Sequence, residues 1–127
     1  MSGINTLVDT NIIGTVLSDK KFLTAHFNKM SVIGISIITK YEFLSNPNLS
    51  VKDKYLFEEY VDTIEVYDLV KTDSILQKHI ISIRKKYKLK LPDAIIAATA
   101  LSCNATLVSA DDVFLTIHNL KFKHIKI

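Results

Sequence analysis

Four acidic residues border apolar stretches of the sequence instead of lying in polar loops, and their side chains are well suited to metal chemistry. They are Asp9, Glu42, Asp93 and Asp111. An isolated buried carboxylate is costly, and no lysine or arginine lies close in sequence on the same helix faces to neutralise these acids. Magnesium and manganese prefer oxygen ligands and retain several waters. A magnesium or manganese ion held by these acids would neutralise a phosphodiester, orient a water molecule and lower the pKa of that water.

Each of these acids also has an ordinary structural interpretation. Asp9 would cap the helix that follows it, and Asp93 would complement a helix N-terminus, where negative charge is favoured. Either Asp111 or Asp112 would do the same for a later helix. Glu42 would be a solvated residue on a helix surface. The case for a shared site therefore depends on whether the fold brings the acids together.

The remaining metal-binding residue types give no comparable pattern. The four histidines lack the spacing of zinc ligands, and we interpret them as structural or surface residues. They are His26, His79, His118 and His124. The single cysteine, Cys103, excludes an internal disulfide within these 127 residues and is expected to be a buried thiol, consistent with a reducing cytoplasm.

Length and composition predict one compact domain, residues 1–127, because 48% of the residues are hydrophobic and supply an ample core. No apolar run approaches the roughly 20 residues that span a bilayer, and no secretory signal is evident. We therefore expect no membrane association and a cytoplasmic location. The formal net charge of +3 is too small to indicate nucleic-acid binding by itself.

Short apolar runs predict strands, and longer stretches with helical period predict the helices between them. The predicted strands cover residues 4–8, 32–36, 64–69 and 105–108, with a final edge strand from about residue 123. The predicted helices cover a segment after Asp9, residues 20–30 and 37–44, a segment capped by Ser50, residues 72–87 and 92–103, and a short turn at 111–112. This alternation predicts a parallel, helix-covered α/β sheet, whose ligands bind at the carboxyl ends of its strands.

Three groups of apolar residues are expected to define the faces of the helices. The stripe of the helix after Ser50 contains Val51, Tyr55, Leu56 and Tyr60. The inward face of the helix at 72–87 contains Ile75, Leu76, Ile80 and Ile83. The early helices carry Ile12, Ile13, Val16, Leu17, Phe22 and Phe27. This third group exceeds what one sheet face needs, so either it packs in the core or part of it forms a contact with another protein.

Four sequence motifs, in order along the chain, resemble those of the PIN domain family. They are Leu7–Asn11 (LVDTN), Ile35–Phe43 (ISIITKYEF), Leu91–Ala100 (LPDAIIAATA) and Leu107–Phe114 (LVSADDVF). The third motif is the most specific, and four motifs in order are a much stronger signal than any one alone. The length of the chain also resembles that of the stand-alone VapC-type toxins of prokaryotic toxin–antitoxin pairs.

The resemblance implies a three-layer α/β/α sandwich with a mainly parallel sheet of about five strands. It also implies an endoribonuclease that depends on Mg²⁺ or Mn²⁺, a homodimer and a cognate antitoxin that blocks the site. Carried over by motif, the catalytic acids would be Asp9, Glu42, Asp93 and Asp111. The metal ligands would be Asp9, Asp93 and Asp111, while Glu42 would coordinate the ion or position water. The supporting hydrogen bonds would come from Thr10, Asn11 and Ser109.

The fourth motif departs from the family pattern in two ways. Ser109 stands where threonine is frequent, and Val113 stands where a further acid is common. Two adjacent acids, Asp111 and Asp112, are therefore candidates for the fourth acidic position. Of the two, we prefer Asp111.

A basic segment precedes the third motif and has two interpretations. It contains Arg84, Lys85, Lys86, Lys88 and Lys90. These cations would hold RNA phosphates without base preference, or they would complement the dipole at a helix C-terminus. Tyr87, among them, would stack on an unpaired base or pack against the core.

Two other functions compete with a ribonuclease. The first is a PIN-like module that binds RNA or protein without cleavage. The second is a phosphotransfer or hydrolase domain of another α/β type. The second is disfavoured because Asn11 stands where an aspartyl phosphatase needs a second aspartate, and because the chain lacks a glycine-rich phosphate loop.

Overall fold

A computed structural model describes residues 3–19 and 21–127 of the chain. Residues 1, 2 and 20 lie outside the described residues. The predicted domain, 1–127, includes all three of these residues, and the predicted helix at 20–30 includes residue 20. No helix in the described part of the chain is long and apolar enough to cross a membrane.

The chain alternates strands and helices as the sequence predicts. The strands are β1 (Thr6–Val8), β2 (Ile33–Ser36), β3 (Glu65–Tyr67), β4 (Thr106–Ser109) and β5 (Phe122–His124). The helices are α1 (Thr10–Ser18), α2 (Lys21–His26), α3 (Ile37–Leu44), α4 (Val51–Val61), α5 (Ser74–Tyr87) and α6 (Leu91–Cys103), followed by a short 3₁₀ helix (Asp112–Thr116). The predicted helix and strand types are confirmed, and most boundaries move by a few residues.

The five strands form one sheet with the order β3-β2-β1-β4-β5, and every neighbouring pair is parallel. The prediction of an α/β fold with a parallel five-stranded sheet is therefore confirmed. Because all strands point the same way, their carboxyl ends lie at one edge of the sheet. The residues that follow β1, β2 and β4 are brought together at this carboxyl edge.

Helices cover both faces of the sheet, which gives the predicted three layers. Neighbouring side chains of a strand point to opposite faces. Leu7 and Leu107 accordingly join a core with residues of α5 and α6, whereas Val8 and Val108 join a second core with residues of α1 and α4. Strands buried on both faces are typically apolar throughout, which explains why β1 and β4 lack a polar alternation.

Local signals at the helix ends agree with the sequence. Ser50 caps α4, and its Oγ accepts a hydrogen bond from the backbone N–H of Asp53 at 3.0 Å. Pro92 lies in the first turn of α6, where the missing N–H costs nothing. Asn104 ends α6 with a left-handed backbone (φ 53°), a conformation that asparagine tolerates better than most residues. The last two signals fix both ends of α6, whose first turn contains Asp93.

Two predicted apolar faces are partly wrong. In α4, Val51 is 88% exposed and Tyr55 is also exposed, while the unpredicted Phe57 is fully buried and stacks on Phe43 at 4.3 Å. In α5, Ile75 is 67% exposed. Both errors have one cause: these helices carry more apolar residues than one stripe needs, so spacing alone did not select the buried side.

The early apolar residues pack in the core. Ile12, Ile13, Val16 and Phe22 are buried, and the partly buried Leu17 and Phe27 pack against the same cluster. Core packing therefore accounts for the four buried residues, while a contact of Leu17 or Phe27 with a second copy or an antitoxin stays a prediction. Cys103 also differs from expectation, because it is partly buried at the edge of the core and not fully buried.

Candidate active site

Asp9 lies at the point where β1 passes into α1 and is almost completely buried, with 6% of its surface exposed. Its Oδ1 accepts a hydrogen bond from the backbone N–H of Thr10 at 2.7 Å. Its Oδ2 accepts one from Ser109 Oγ at 2.7 Å, and Asn11 Nδ2 lies 3.5 Å from the same oxygen. The capping interpretation of Asp9 is thus correct, but it accounts for only one of the two carboxylate oxygens.

Ser109 connects Asp9 to the loop that carries Asp111. The Ser109 hydroxyl donates to Asp9 and accepts from the backbone N–H of Asp111 at 2.9 Å. Asn11 Nδ2 also donates to this hydroxyl at 3.3 Å. Asn11 and Ser109 therefore occupy the supporting positions that the sequence predicts, and they fix the two strand ends relative to each other.

The peptide before Asp111 is held on both sides. The Ala110 N–H donates to Asn11 Oδ1 at 3.0 Å, and His124 Nε2 lies 2.9 Å from the Ala110 carbonyl oxygen. A carbonyl only accepts, so Nε2 carries the proton and donates it. Sequence analysis missed this positioning role of His124, because the pairing of β5 with β4 cannot be read from the chain.

Asp111 and Asp112 follow β4 and are both exposed. Asp111 caps the 3₁₀ helix, and its Oδ1 accepts a hydrogen bond from the backbone N–H of Val113 at 3.0 Å. The charge of Asp111 raises the pKa of Asp9 and of Asp93. The electrostatics therefore favour Asp111 as the fourth acid.

Glu42 lies on α3 and is exposed, although its sequence neighbours are apolar. The Thr10 hydroxyl donates to Glu42 Oε1 at 2.7 Å and so joins α1 to α3. Thr10 consequently supports Glu42 with its side chain and Asp9 with its backbone. The expectation that Glu42 needs a partner because of buried surroundings is wrong, since solvent reaches this carboxylate.

Asp93 lies in the first turn of α6 and is partly buried. Burial raises the pKa of this carboxyl most, and the charges of Asp9, Asp111 and Glu42 raise it further. The nearby Lys90 lowers the pKa, but its influence is the smallest. Asp93 is therefore held among like charges that are only weakly compensated.

Asp9 has a raised pKa for similar reasons. Burial is the main cause, and the charges of Glu42 and Asp111 act in the same direction. The hydrogen bonds from Ser109 and Thr10 lower the pKa without cancelling the effect of burial. The fold has thus brought the four predicted acids, from four separate segments, within electrostatic reach of one another at the carboxyl edge.

The donor atoms of this cluster are all carboxylate oxygens, which suits a hard divalent cation and not zinc. As the side chains stand, however, no three histidine, cysteine or carboxylate groups among residues 3–19 and 21–127 are arranged to hold one ion. The predicted ligand roles of Asp9, Asp93 and Asp111 therefore remain predictions. The cluster has the right chemistry for a metal ion without a preformed set of ligands.

The basic segment is divided between a helix end and an open groove. Arg84, Lys85 and Lys86 lie in the last turn of α5, and Lys88 ends that helix with a left-handed backbone (φ 55°). A groove of about 470 Å³ is lined by Ile80, Ile81, Leu89 and Leu91 together with Arg84, Lys85 and Lys88; we call it the apolar groove. Both sequence interpretations of these cations therefore remain open.

Tyr87 is a structural residue. Its ring packs against the core formed with α5 and α6, and its hydroxyl accepts a hydrogen bond from the backbone N–H of His118 at 2.9 Å. Lys86 Nζ lies 5.4 Å from the centre of the same ring. Of the two interpretations of Tyr87, packing against the core is the one that the structure supports.

The fold and this site define the class of protein: a parallel α/β sandwich with a cluster of coupled carboxylates at the carboxyl edge of its sheet. The model of the PIN domain family matches residues 6–119. The chain therefore belongs to the PIN domain family, as its four motifs predict. Nucleases of this family are hydrolases that generally use a divalent metal ion. A search of curated proteins gave no significant match.

Solved structures with similar folds cover nearly the whole chain. A toxin–antitoxin complex from Klebsiella pneumoniae has a TM-score of 0.73 and 26% identity, covering 94% of this chain and 99% of its own. DNA-bound VapBC from Salmonella typhimurium has a TM-score of 0.73 and 20% identity, covering 95% and 98%. VapBC2 from Rickettsia felis, bound to a promoter DNA fragment, has a TM-score of 0.71 and 19% identity, covering 94% and 97%. The last two support the fold alone.

Proposed function

We propose that this chain is a metal-dependent endoribonuclease and the toxin component of a type II toxin–antitoxin pair. The observation that carries the proposal is the convergence of Asp9, Glu42, Asp93 and Asp111 on one edge of the sheet, where burial and mutual repulsion raise the pKa of two of them. A divalent cation would neutralise such a group of charges. Family membership and the similarity to the Klebsiella pneumoniae toxin–antitoxin complex give independent support.

Asp9, Asp93 and Asp111 would hold Mg²⁺ or Mn²⁺, which would neutralise a phosphodiester and lower the pKa of a water molecule. Asp9 is fixed by its hydrogen bonds to Thr10 and Ser109 and would act as the rigid ligand. Asp111 is exposed and would rotate toward the ion. Glu42, held at Oε1 by Thr10, would orient the water that attacks the phosphorus.

The absence of a preformed ligand set fits weak, water-rich coordination. Magnesium dehydrates reluctantly and is usually held through one or two carboxylates with several waters. Without a bound cation, like-charged carboxylates repel one another, so their side chains adopt rotamers that keep the carboxylate groups apart. We therefore propose that RNA phosphate and water complete the coordination.

The partners proposed for this chain are RNA, a cognate antitoxin and a second copy of the chain. Cleavage of RNA would take place in the cytoplasm. The basic segment Arg84, Lys85, Lys86, Lys88 and Lys90 would add attraction for RNA phosphates that does not depend on base sequence. We further propose that residues 1–127 act as one domain, since one sheet unites the strands from both ends of the described chain.

Cleavage assays with single substitutions test the proposed function. Asp93→Asn and Asp9→Asn each remove one charge at almost constant shape, and each should lower Mg²⁺-dependent RNA cleavage by at least about 100-fold. Asp62→Asn, at the end of α4, is the matched control and should retain full activity. Circular dichroism should show an unchanged fold for all three variants. Unchanged cleavage by both site variants would refute the assignment.

An alternative function is a PIN-like module that binds RNA or protein without cleaving RNA. A manganese titration separates the two functions, because an ion that binds the folded state raises the melting temperature by mass action. The nuclease should be stabilised by manganese, and Asp93→Asn should abolish most of that shift. A melting temperature that stays constant at saturating manganese would favour the binding module.

A further inference from the structure

The three lysines near the end of the sequence have different surroundings. Lys121 Nζ donates to the Asn104 carbonyl at 3.2 Å, and Lys123 Nζ donates to the His26 carbonyl. Lys126 is exposed, and within the described part of the chain no hydrogen bond or ion pair engages its ammonium group. Two of the three charges therefore serve local packing, and the third is available for a ligand.

The register of β5 places Lys126 beside the acidic cluster. β5 runs parallel to β4, Ser109 pairs with His124, and the Ile125 N–H donates to the Ser109 carbonyl at 2.9 Å. The residues that follow these two strands consequently leave the sheet side by side. Asp111 and Lys126 thus lie at the same carboxyl edge, whereas Lys121 precedes β5 and lies at the opposite edge.

An open groove of about 640 Å³ lies at this position, and we call it the polar groove. It is lined by the carboxylates of Asp111 and Asp112 and by His124 and Lys126, with Asn11 among the remaining lining residues. Its volume falls within the range of about 300–1,000 Å³ typical of small-ligand sites. The groove therefore begins at a proposed metal ligand and contains an unengaged cation.

We propose that the polar groove is a binding subsite for an RNA phosphate next to the one that is cleaved, and that Lys126 contacts this phosphate. The inference rests on the proposed function. A strand that passes Asp111 and Asp112 is repelled by two carboxylates, so a cation in the same groove offsets that repulsion and guides the strand. His124 is the positioning residue, because it lines the same groove and holds the Ala110 carbonyl just before Asp111.

Lys126→Gln tests this subsite, with Lys121→Gln as the matched control. Both variants lose one charge near β5, but only Lys126 lies at the carboxyl edge. For cleavage of a mixed-sequence single-stranded RNA, Lys126→Gln should raise KM about 3- to 10-fold and leave kcat within about twofold. A plot of the logarithm of the RNA association constant against the logarithm of salt concentration should have a slope that is shallower by about 0.7, as expected for one lost phosphate contact on a single strand. Lys126→Arg should restore both quantities.

Equilibrium binding separates failure of this subsite from failure of the nuclease. Labelled RNA is titrated with Asp93→Asn alone and combined with Lys126→Gln, so the assay needs no cleavage. A lower affinity in the double variant supports the subsite even if the wild type cleaves nothing, which would overturn only the nuclease. Equal affinity overturns the subsite, as does an equal effect of Lys121→Gln. If Lys126→Gln lost binding to an acidic peptide while RNA binding stayed unchanged, the groove would be assigned to a protein partner, and the RNA subsite would be overturned.

Discussion

The apolar groove and the polar groove both carry positive charge next to the acidic cluster, but their walls differ. The apolar groove ends at Leu91, two residues before Asp93, and four aliphatic side chains line it. The polar groove begins at Asp111, and carboxylates, an imidazole and an amide line it. A phosphate backbone is attracted to cations but gains nothing from aliphatic walls. The apolar groove therefore holds more cations, whereas the polar groove holds a single lysine that must also offset two carboxylates.

The density of positive charge in the sequence would instead favour the apolar groove as the RNA site. Five cations lie between residues 84 and 90, whereas Lys126 is an isolated lysine. Three of the five occupy the last turn of α5, where they stabilise the helix dipole, and Lys90 lies beside Asp93. Much of this charge therefore has a local use. Two predictions test the comparison between the grooves, and a third tests the charge of Asp93 in the acidic cluster.

Charge reversal in each groove should give the largest difference. Lys126→Glu adds a third negative charge beside Asp111 and Asp112 and should raise KM for RNA about 30-fold. Lys85→Glu should raise it no more than about threefold, because several cations remain nearby. The measurement is steady-state cleavage at one fixed salt concentration. Equal effects of the two reversals would remove the distinction between the grooves.

Neutralising Asp93 should stabilise the metal-free protein. Burial and like charges raise the pKa of Asp93, so ionisation of this group above its folded-state pKa costs stability. Asp93→Asn should therefore melt at a higher temperature than the wild type at neutral pH in the presence of a chelator. The advantage should disappear below about pH 3.9, where the carboxyl is protonated in both states. A difference that is constant between acidic and neutral pH would contradict this explanation.

The smallest effect is expected at Lys88, which ends α5 in the apolar groove. A left-handed backbone is strained for lysine and free of strain for glycine. Lys88→Gly should raise the free energy of unfolding by about 0.5 kcal/mol, or roughly 2 °C, and leave KM for RNA within about twofold. Lys85→Gln removes a charge without changing the backbone and serves as the control. A large increase in KM for Lys88→Gly alone would show that this lysine contacts RNA.

Several parts of the site were accessible from the sequence because they depend on local signals. Asp9 follows a short apolar run and begins a helix, and Asp93 follows a proline at the start of another helix. The rule that parallel strands end at one edge then brings such acids together. Spacing was less informative for α4 and α5, where Val51 and Ile75 fit a stripe that the core does not use.

Short-range patterns of apolar and capping residues were enough to predict the family, the parallel α/β arrangement and the four candidate acids. The distant residues that support those acids could be identified only from the folded chain. The contact of His124 with Ala110 and the separation of Lys126 from Lys121 both follow from the register of β5 on β4. That register is set by packing between segments far apart in the chain, and no local pattern encodes it.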